Sequence, residues 1–487
     1  MRMEVRTRFA PSPTGYLHIG GLRTALYAYL FAKKNGGKFI LRIEDTDRER
    51  LVDEASEIIY RTLKDTGLIY DEGPDVGGEY GPYIQSERKD IYGKYAQELV
   101  KRGAAYYCFC TKERLAGLRS QCEQDGRQFK YDKHCLQLTP EEIQEKLDAG
   151  VPYVIRQNIP AEGQTTYSDM VYGDVTVPNS DMEDNILLKS DGYPTYNLAN
   201  VVDDHLMKIT HVIRGIEYLS STPKYNLLYE ALDWDVPEYI HLPPVMRDKH
   251  AKLSKRHGDA SYEDFIEKGY LSHAILNYIA LLGWSPADNK EIFTLPELEH
   301  AFDVSGISKS PAIFDVEKLR WMNAEYIRAL SEEDFIKMAM PYFEQAIDPD
   351  KFDLPLITRL IQPRLEVLNE IPEKLTFLSR LPDYDIDLYF HKKMKVTPES
   401  ALVYLREAYP VLRDLPEFTQ SAIHDAMMSL VEKLGIKNGQ LLYPLRVALS
   451  GTPVTPGGAI EIAYLLGRHE ALSRIETGIR KLEDSLQ

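Results

Sequence analysis

The chain has 487 residues, 44% apolar and 27% charged, too long for one hydrophobic core and balanced as a folded chain of roughly three or four domains rather than a disordered one. Residues 1–9 lack the apolar core of an export signal, and the longest apolar stretches, 24–32 and 274–284, fall short of the roughly 18 residues a membrane helix needs, so a cytoplasmic protein with no membrane partner is expected. The net charge of −17 by itself counts against nucleic acid as a partner, although 58 Lys and Arg leave room for a basic face.

Residues 5–9 read as a strand, and 22–35 as a helix with Leu22, Ala25, Leu26, Tyr29, Leu30 and Ala32 at helical spacing. Gly36 and Gly37 close that helix, and 38–43 reads as the next strand, the opening of a parallel α/β fold. Residues 106–187 interrupt this pattern with four cysteines, turn residues and short β-prone stretches at 153–156 and 171–177, as an insertion would. From Leu188 the α/β pattern resumes through 195–202 and a strand at 209–213, ending near Lys255. From about Tyr326 helical periodicity takes over, with Pro- and Asp-rich joints near 348–355 and 381–387, which predicts an all-helical C-terminal third in two small bundles. There is no internal repeat and no low-complexity tract.

Two segments carry chemistry. The first, Arg8-Phe-Ala-Pro-Ser-Pro-Thr-Gly15-Tyr-Leu-His18-Ile-Gly20-Gly21, lies between the first strand and the first helix, where an open parallel sheet places nucleotide phosphates at a helix N-terminus. Pro11 and Pro13 stiffen this loop, Gly15, Gly20 and Gly21 leave room for backbone to approach a ligand, and His18 offers a phosphate a donor. The second, Lys252-Leu-Ser254-Lys255-Arg256 followed by His257-Gly258, puts three cations in a short polar loop suited to the charge on a departing pyrophosphate.

Together these resemble the HIGH and KMSKS signatures of class I aminoacyl-tRNA synthetases, here His18-Ile-Gly-Gly21 and Lys252-Leu-Ser-Lys-Arg256. The resemblance narrows to the bacterial-type glutamyl-tRNA synthetase family through Arg8 to Gly15, Arg42-Ile-Glu44-Asp-Thr-Asp47, Asp71-Glu-Gly-Pro-Asp-Val-Gly-Gly78, Tyr196-Asn-Leu-Ala-Asn200-Val-Val-Asp-Asp204 and Gly451-Thr-Pro-Val-Thr-Pro-Gly-Gly458, and it spans the whole chain. The last histidine of HIGH is Gly21 here, which puts more weight on His18, Lys252 and Lys255.

The resemblance implies a multidomain fold: a Rossmann-like α/β catalytic domain in two halves, 1–105 and 188–255, around a zinc-bearing α+β acceptor-binding insertion, 106–187. A stem-contact domain, 256–325, and an all-α anticodon-binding region in two parts, 326–385 and 386–487, would follow. The implied activity is ATP-dependent ligation of L-glutamate to tRNA(Glu) through glutamyl-adenylate, releasing pyrophosphate and AMP, with Mg²⁺ on the phosphates and activation dependent on bound tRNA. The implied catalytic residues are His18, Lys252 and Lys255, with Gly20, Gly21, Glu217, Met246 (or Val245), Ser254 and Arg256 completing the ATP site. For glutamate, the resemblance implies Arg8 and Arg214 as the pocket's cations, Glu44 for the α-ammonium, and Ala10, Ser12, Tyr196 and Asn200 as lining. These residue types suit the ligand, since a guanidinium fork matches a carboxylate and a carboxylate matches an ammonium.

Cys108-Phe-Cys110 and Cys135 are grouped closely enough to read as metal ligands rather than disulfide partners, with zinc the natural ion. Family members with Cys-x-Cys then Cys-x-His have their histidine where Gln137 stands here, whereas others use Tyr-x-x-x-Cys, the spacing of Tyr131 and Cys135. The implied ligands of one structural zinc per chain are therefore Cys108, Cys110, Tyr131 and Cys135, with His134 as substitute and free thiols without metal as the alternative; Cys122 is a bystander. A monomer is expected. Glutaminyl-tRNA synthetases, which usually end in β-barrels, are disfavoured by the helical pattern after Tyr326, and a nonenzymatic RNA-binding descendant is disfavoured by intact His18 and Lys252-Leu-Ser-Lys255.

Overall fold

Four buried residues, Arg6–Phe9 (β1), begin the fold of this computed structural model, which describes residues 4–47, 52, 54–127, 129–251, 253 and 261–486. β1 pairs in parallel with Lys38–Leu41 (β2), and the helix Ile19–Lys34 (α1) connects them, burying Leu22, Ala25, Leu26, Tyr29, Leu30 and Ala32 as their spacing predicts. Gly37 makes the return possible, because a Cβ there would lie 2.0 Å from the Val5 carbonyl oxygen. α1 starts three residues before the expected 22, at Ile19. His18 caps it, its Nδ1 accepting the Gly20 N–H at 3.0 Å, so Gly20 and Gly21 sit in the first turn of the helix rather than in the loop. A Gly-Gly pair carries no apolar signal, which is why periodicity places the start too late.

The chain divides into two compact units, Met1–Ile266 with Ser272–Val316, and Glu267–Leu271 with Glu317–Gln487. In the first unit β2 is followed by helices Ala55–Asp65 (α2) and Lys89–Lys101 (α3). The remaining main strands are Ala105–Cys108 (β3), Val154–Gln157 (β4), Gln164–Asp169 (β5), Gly173–Pro178 (β6), Ile186–Leu188 (β7), His211–Gly215 (β8) and Glu238–Leu242 (β9). Helices Lys112–Gln124 (α4) and Pro140–Asp148 (α5) lie between β3 and β4, and Tyr196–Leu206 (α6) and Thr222–Ala231 (α7) flank β8.

β3, β4 and β7 form an antiparallel sheet. β8 and β9 are parallel, and β8 runs beside β1, where the Thr210 N–H donates to the Arg6 carbonyl at 2.9 Å. The β5–β6 hairpin falls within residues 106–187, yet β5 joins the edge of β9 in parallel at Asp169 opposite Tyr239. That single pairing carries an acidic side chain from the 106–187 segment to the sheet that bears Arg214. Burial of Tyr92, Leu99, Ile155, Leu187, Leu198, Val202, Tyr225 and Leu228 packs α3, α6 and α7 against β4 and β7; apolar burial of this kind stabilises by about 25 cal/mol per Å². Short helices Tyr262–Glu267 (α8), Ser272–Ala280 (α9) and Leu295–Ala301 (α10) follow, with the strand pair Val245–Met246 (β10) and Ala312–Ile313 (β11).

The second unit has no strand among its described residues. Its helices are Val316–Ala329 (α11), which starts ahead of the expected 326, then Glu332–Ala346 (α12), Leu354–Ile361 (α13), Ile371–Ser379 (α14), Pro398–Arg413 (α15), Gln420–Leu434 (α16), Asn438–Ser450 (α17) and Ala459–Leu486 (α18), the last broken by a kink at Gly467. Ser331, Thr397 and Thr419 cap α12, α15 and α16 with their hydroxyls, which fixes where those helices begin. Arg474 of α18 is 2% exposed and donates to the carbonyls of Phe377, Leu378 and Leu449. It thereby satisfies orphan acceptors near the C-terminal ends of α14 and α17 with a cation, the sign their dipoles favour. No helix among the described residues is long and apolar enough to cross a membrane.

Candidate active site

A cavity of about 270 Å³ opens beyond the C-terminal ends of β1 and β8, the edge at which open parallel sheets hold ligands. It is lined by Arg8, Ala10, Ser12, Gly21, Glu44, Tyr196, Arg214 and Glu217, all expected site residues, together with Phe9, Thr24, Ile213, Gly215 and Tyr218. Asn200 lies one turn beyond Tyr196 on α6, buried, with its Nδ2 donating to the Tyr196 carbonyl, and is not part of the lining. Glu217 folds back over Gly215, where a Cβ would lie 2.2 Å from its Oε2.

Arg8 is held by Asp204, whose carboxylate lies 3.1 Å from its Nε and 3.2 Å from Nη2, and it donates to the Ile213 carbonyl. Asp204 also accepts from Arg42 at 2.7 Å, and Arg42 reaches Glu44 at 3.1 Å. One residue earlier on α6, Asp203 takes hydrogen bonds from Arg88 at 2.7 Å, Tyr92 at 2.8 Å and Gln85 at 2.9 Å. Three guanidiniums thus meet three carboxylates, all buried, so the network is neutral and its charges are paired as burial requires. Burial works against ionised Asp204, but Arg8 and Arg42 hold its carboxyl below the ordinary range. Burial wins at Glu44, whose carboxyl is raised in spite of Arg42 and Arg8. Among the described residues Glu44 accepts only through Oε1, from Arg42 and Gln85.

Arg214 differs from these cations. It is 6% exposed, and no carboxylate among the described residues lies within ion-pair distance. Its Nε donates to His241 Nε2 at 3.2 Å, Nη1 to the Tyr196 hydroxyl at 3.4 Å and Nη2 to Thr222 Oγ1 at 2.6 Å. The rings of Tyr218 and Tyr225 stand 5.0 Å from its centre. Three of the five guanidinium donors are therefore spent on neutral acceptors, leaving one on each terminal nitrogen for a ligand.

Lys252, Ser254, Lys255, Arg256, His257 and Gly258 lie outside the described residues. Their described neighbours are placed: the Leu253 N–H donates to the Val245 carbonyl at 3.2 Å, Ser261 bridges to His18, and the Tyr262 N–H donates to the Leu17 carbonyl at 3.1 Å. The chain thus leaves β10 and returns to the N-terminus of α1, which bears Gly20 and Gly21. Met246 is paired with Ile313, half-buried, and does not line the cavity.

In the β3–β4 region the thiols of Cys108, Cys110 and Cys135 lie within 4.8 Å of one another. The Tyr131 hydroxyl is 3.4 Å from Cys108 Sγ and 3.2 Å from Cys110 Sγ. Arg156 donates to Cys108 Sγ at 3.3 Å and Arg114 to Cys110 Sγ at 3.6 Å. Hydrogen bonding from Cys135, opposed by burial and aided by Tyr131, pushes the Cys108 thiol down to about 4. His134 is exposed and outside this group, and Cys122 is buried elsewhere on α4. A tetrahedral zinc with bonds of about 2.3 Å needs sulfur atoms about 3.8 Å apart. Cys110 and Cys135 are 3.5 Å apart, so the donor set fits that ion.

Asp203, Asp204, Arg88, Asp169 and His241 are charged or titratable residues of this region to which the sequence assigned no role, as are the neutral Gln85, Tyr92, Tyr218 and Thr222. Asp203 and Asp204 stood in a quoted motif, and two adjacent acids directly after the apolar Val201 and Val202 were the available signal.

The family model for the catalytic domain of class I tRNA synthetases (E and Q) matches residues 4–321, and one for an anticodon binding domain matches residues 334–479. The fold and the cavity therefore define a class I aminoacyl-tRNA synthetase of the type specific for glutamate or glutamine. The chain is 59% identical over 480 residues to the glutamate–tRNA ligase of Clostridium acetobutylicum and 60% identical over 482 residues to that of Clostridium botulinum, covering 99% of each chain in both cases. It matches the crystal structure of a glutamate tRNA ligase from Elizabethkingia meningosepticum in complex with its amino acid at a TM-score of 0.90 and 38% identity, over 99% of this chain and 100% of that one. Within the class, the chain belongs to the glutamate–tRNA ligase family.

Proposed function

We propose that this chain joins L-glutamate to tRNA(Glu) with ATP, and that its specificity rests on Arg214. The observation that carries this reading is a buried guanidinium without a carboxylate partner among the described residues, in the same cavity as the raised carboxyl of Glu44. Such a pair offers a cation to the substrate's side-chain carboxylate and an anion to its α-ammonium. Arg8, neutralised by Asp204, helps to shape the pocket, and Ala10, Ser12, Tyr196 and Asn200 complete its surroundings.

The α-carboxylate of glutamate attacks the α-phosphorus of ATP, forming a C–O–P bond as the bond to the β-phosphate breaks and pyrophosphate leaves. His18, Lys252 and Lys255 neutralise the phosphate charge, with Gly20, Gly21, Glu217, Met246, Ser254 and Arg256 around the nucleotide. His18 Nδ1 accepts from Gly20, so a neutral ring carries its proton on Nε2 and has a donor there. Mg²⁺ bound with ATP supplies further charge neutralisation. A ribose hydroxyl of the terminal tRNA adenosine then attacks the adenylate carbonyl and AMP leaves. No side chain is needed as a covalent nucleophile; catalysis is alignment and electrostatics.

The helical second unit would read the anticodon, whose unstacked bases are open to side chains. Cys108, Cys110, Tyr131 and Cys135 would hold one structural zinc, keeping β3 and the Tyr131–Cys135 turn in register. The protein would act as a cytoplasmic monomer. Aminoacylation of purified tRNA(Glu) and tRNA(Gln) with labelled glutamate, beside ATP–pyrophosphate exchange with and without tRNA, tests the reading. Charging of tRNA(Glu) is expected, with exchange dependent on tRNA; no charging of any tRNA would overturn it.

A further inference from the structure

We propose that Asp169 and His241 form a positioning pair that aims the Arg214 guanidinium at the side-chain carboxylate of glutamate without neutralising it. The proposal rests on the reading of Arg214 as the discriminating cation.

The proton positions along this chain of bonds follow from its donors and acceptors. Asp169 Oδ1 accepts the N–H groups of Val171 and Tyr172 at 2.9 and 2.8 Å. Its Oδ2 accepts the backbone N–H of His241 at 3.1 Å and lies 2.7 Å from His241 Nδ1. A carboxylate so engaged can only accept, so Nδ1 carries the ring proton. The ring is fully buried, and burial holds its protonation below the ordinary range, against the pull of Asp169. A neutral imidazole with its proton on Nδ1 has a bare Nε2, and the Arg214 Nε–H points at it across 3.2 Å. Thr222 is fixed in the same way. Its hydroxyl lies 3.3 Å from the same His241 Nε2, but the closer acceptor is the Tyr218 carbonyl at 2.8 Å; with its proton there, it accepts from Arg214 Nη2 at 2.6 Å. One edge of the guanidinium is thereby clamped by two neutral acceptors whose own protons are committed elsewhere.

The neutrality of the clamp matters. A carboxylate placed directly on Arg214 would fix its direction equally well, but it would cancel the charge and repel the incoming carboxylate. With an imidazole interposed, Asp169 sets the tautomer while its charge stays one ring away. This is the orienting logic by which the partner of one imidazole nitrogen decides what the other can do. The pairing of β5 with β9, Asp169 opposite Tyr239, brings the acid to His241 two residues further along β9.

The test compares two isosteric variants. His241→Asn keeps a donor near the Nδ1 position and removes the acceptor from the Nε2 position; His241→Gln places an amide oxygen near Nε2. Steady-state kinetics with tRNA should show His241→Asn raising the KM for glutamate about tenfold or more and lowering the glutamate-to-glutamine ratio of kcat/KM, with the KM for ATP unchanged. His241→Gln should stay within a few-fold of the parent. Equal behaviour of the two variants, or a loss confined to kcat, would overturn the proposal. Arg214→Gln is measured beside them. If it leaves discrimination intact, the underlying reading of Arg214 fails; if it abolishes discrimination and His241→Asn does not, only the positioning role fails. A measurement made on the parent protein itself is nitrogen NMR of the histidine-labelled chain, with His241→Gln used only for assignment. A proton on Nδ1 is expected for His241, and a proton on Nε2 or on both nitrogens would sink the idea.

Discussion

Arg8 and Arg214 line the same cavity, but only Arg8 carries a carboxylate against it, with Asp204 3.1 Å from its Nε, while Arg214 is held by His241, Tyr196 and Thr222, none of them charged. The two cations therefore do different work. Replacing Arg214 with Gln should lower kcat/KM for glutamate by about a hundredfold or more while glutamine changes little or improves, since a charge-assisted fork contributes roughly 1.5–3 kcal/mol and an unpaired buried group adds a penalty. Replacing Arg8 with Gln should instead leave Asp204 and Arg42 unbalanced and lower stability, with both amino acids affected alike. Equal loss for both substrates in Arg214→Gln would show that Arg214 is structural.

Glu44 predicts a pH dependence of glutamate binding. Burial raises its carboxyl above the ordinary range, and a bound ammonium favours the ionised form, so binding is strongest above that raised value and weakens as pH falls through it. The KM for glutamate should therefore climb on acidification while pH is still above the substrate's own side-chain value of about 4.3. Glu44→Gln should show a high KM that no longer responds to pH in this range. An unchanged KM profile in the variant would remove Glu44 from ammonium recognition.

The thiol group separates two fourth ligands. Metal analysis of protein prepared without chelator should give about one zinc per chain. Tyr131→Phe should weaken retention of that zinc against a chelator, because the Tyr131 hydroxyl lies within 3.4 Å of two of the thiols, whereas exposed His134→Ala should retain it. The opposite pattern would make His134 the ligand, and no zinc at all would leave the cysteines as structural thiols.

Outside the cavity, Arg6 and Glu72 form a buried bidentate pair with both bonds at 2.8 Å, and the Tyr83 hydroxyl adds a third at 2.6 Å. Burial opposes the charge of Glu72, yet the hydrogen bonds from Arg6 and Tyr83 with Arg6's charge hold its carboxyl down to about 2. Its folded value is depressed below the ordinary carboxylate value of about 4.3, so the stabilisation is present above that value and is lost as pH falls towards 2. Glu72→Gln should cost on the order of 3–5 kcal/mol near neutrality by stranding a buried guanidinium. Urea unfolding of parent and variant should show that difference shrinking between pH 5 and pH 3; a constant gap would exclude the linkage.

The amino-acid sequence by itself determined the opening strand, helix and strand, because their apolar residues repeat at the local periods of those elements, and the helical C-terminal third for the same reason. It also marked Cys108, Cys110 and Cys135 by their grouping, while Tyr131 was implied by the family resemblance through its spacing from Cys135. The tertiary structure decided which charges are paired and which are left for a ligand. Arg8 meets Asp204 across 196 positions and His241 meets Asp169 across 72, separations at which no periodicity operates. Only the placement of β8 beside β1 and the parallel pairing of β5 with β9 bring those groups within hydrogen-bond reach, and only there does burial make the pairing obligatory.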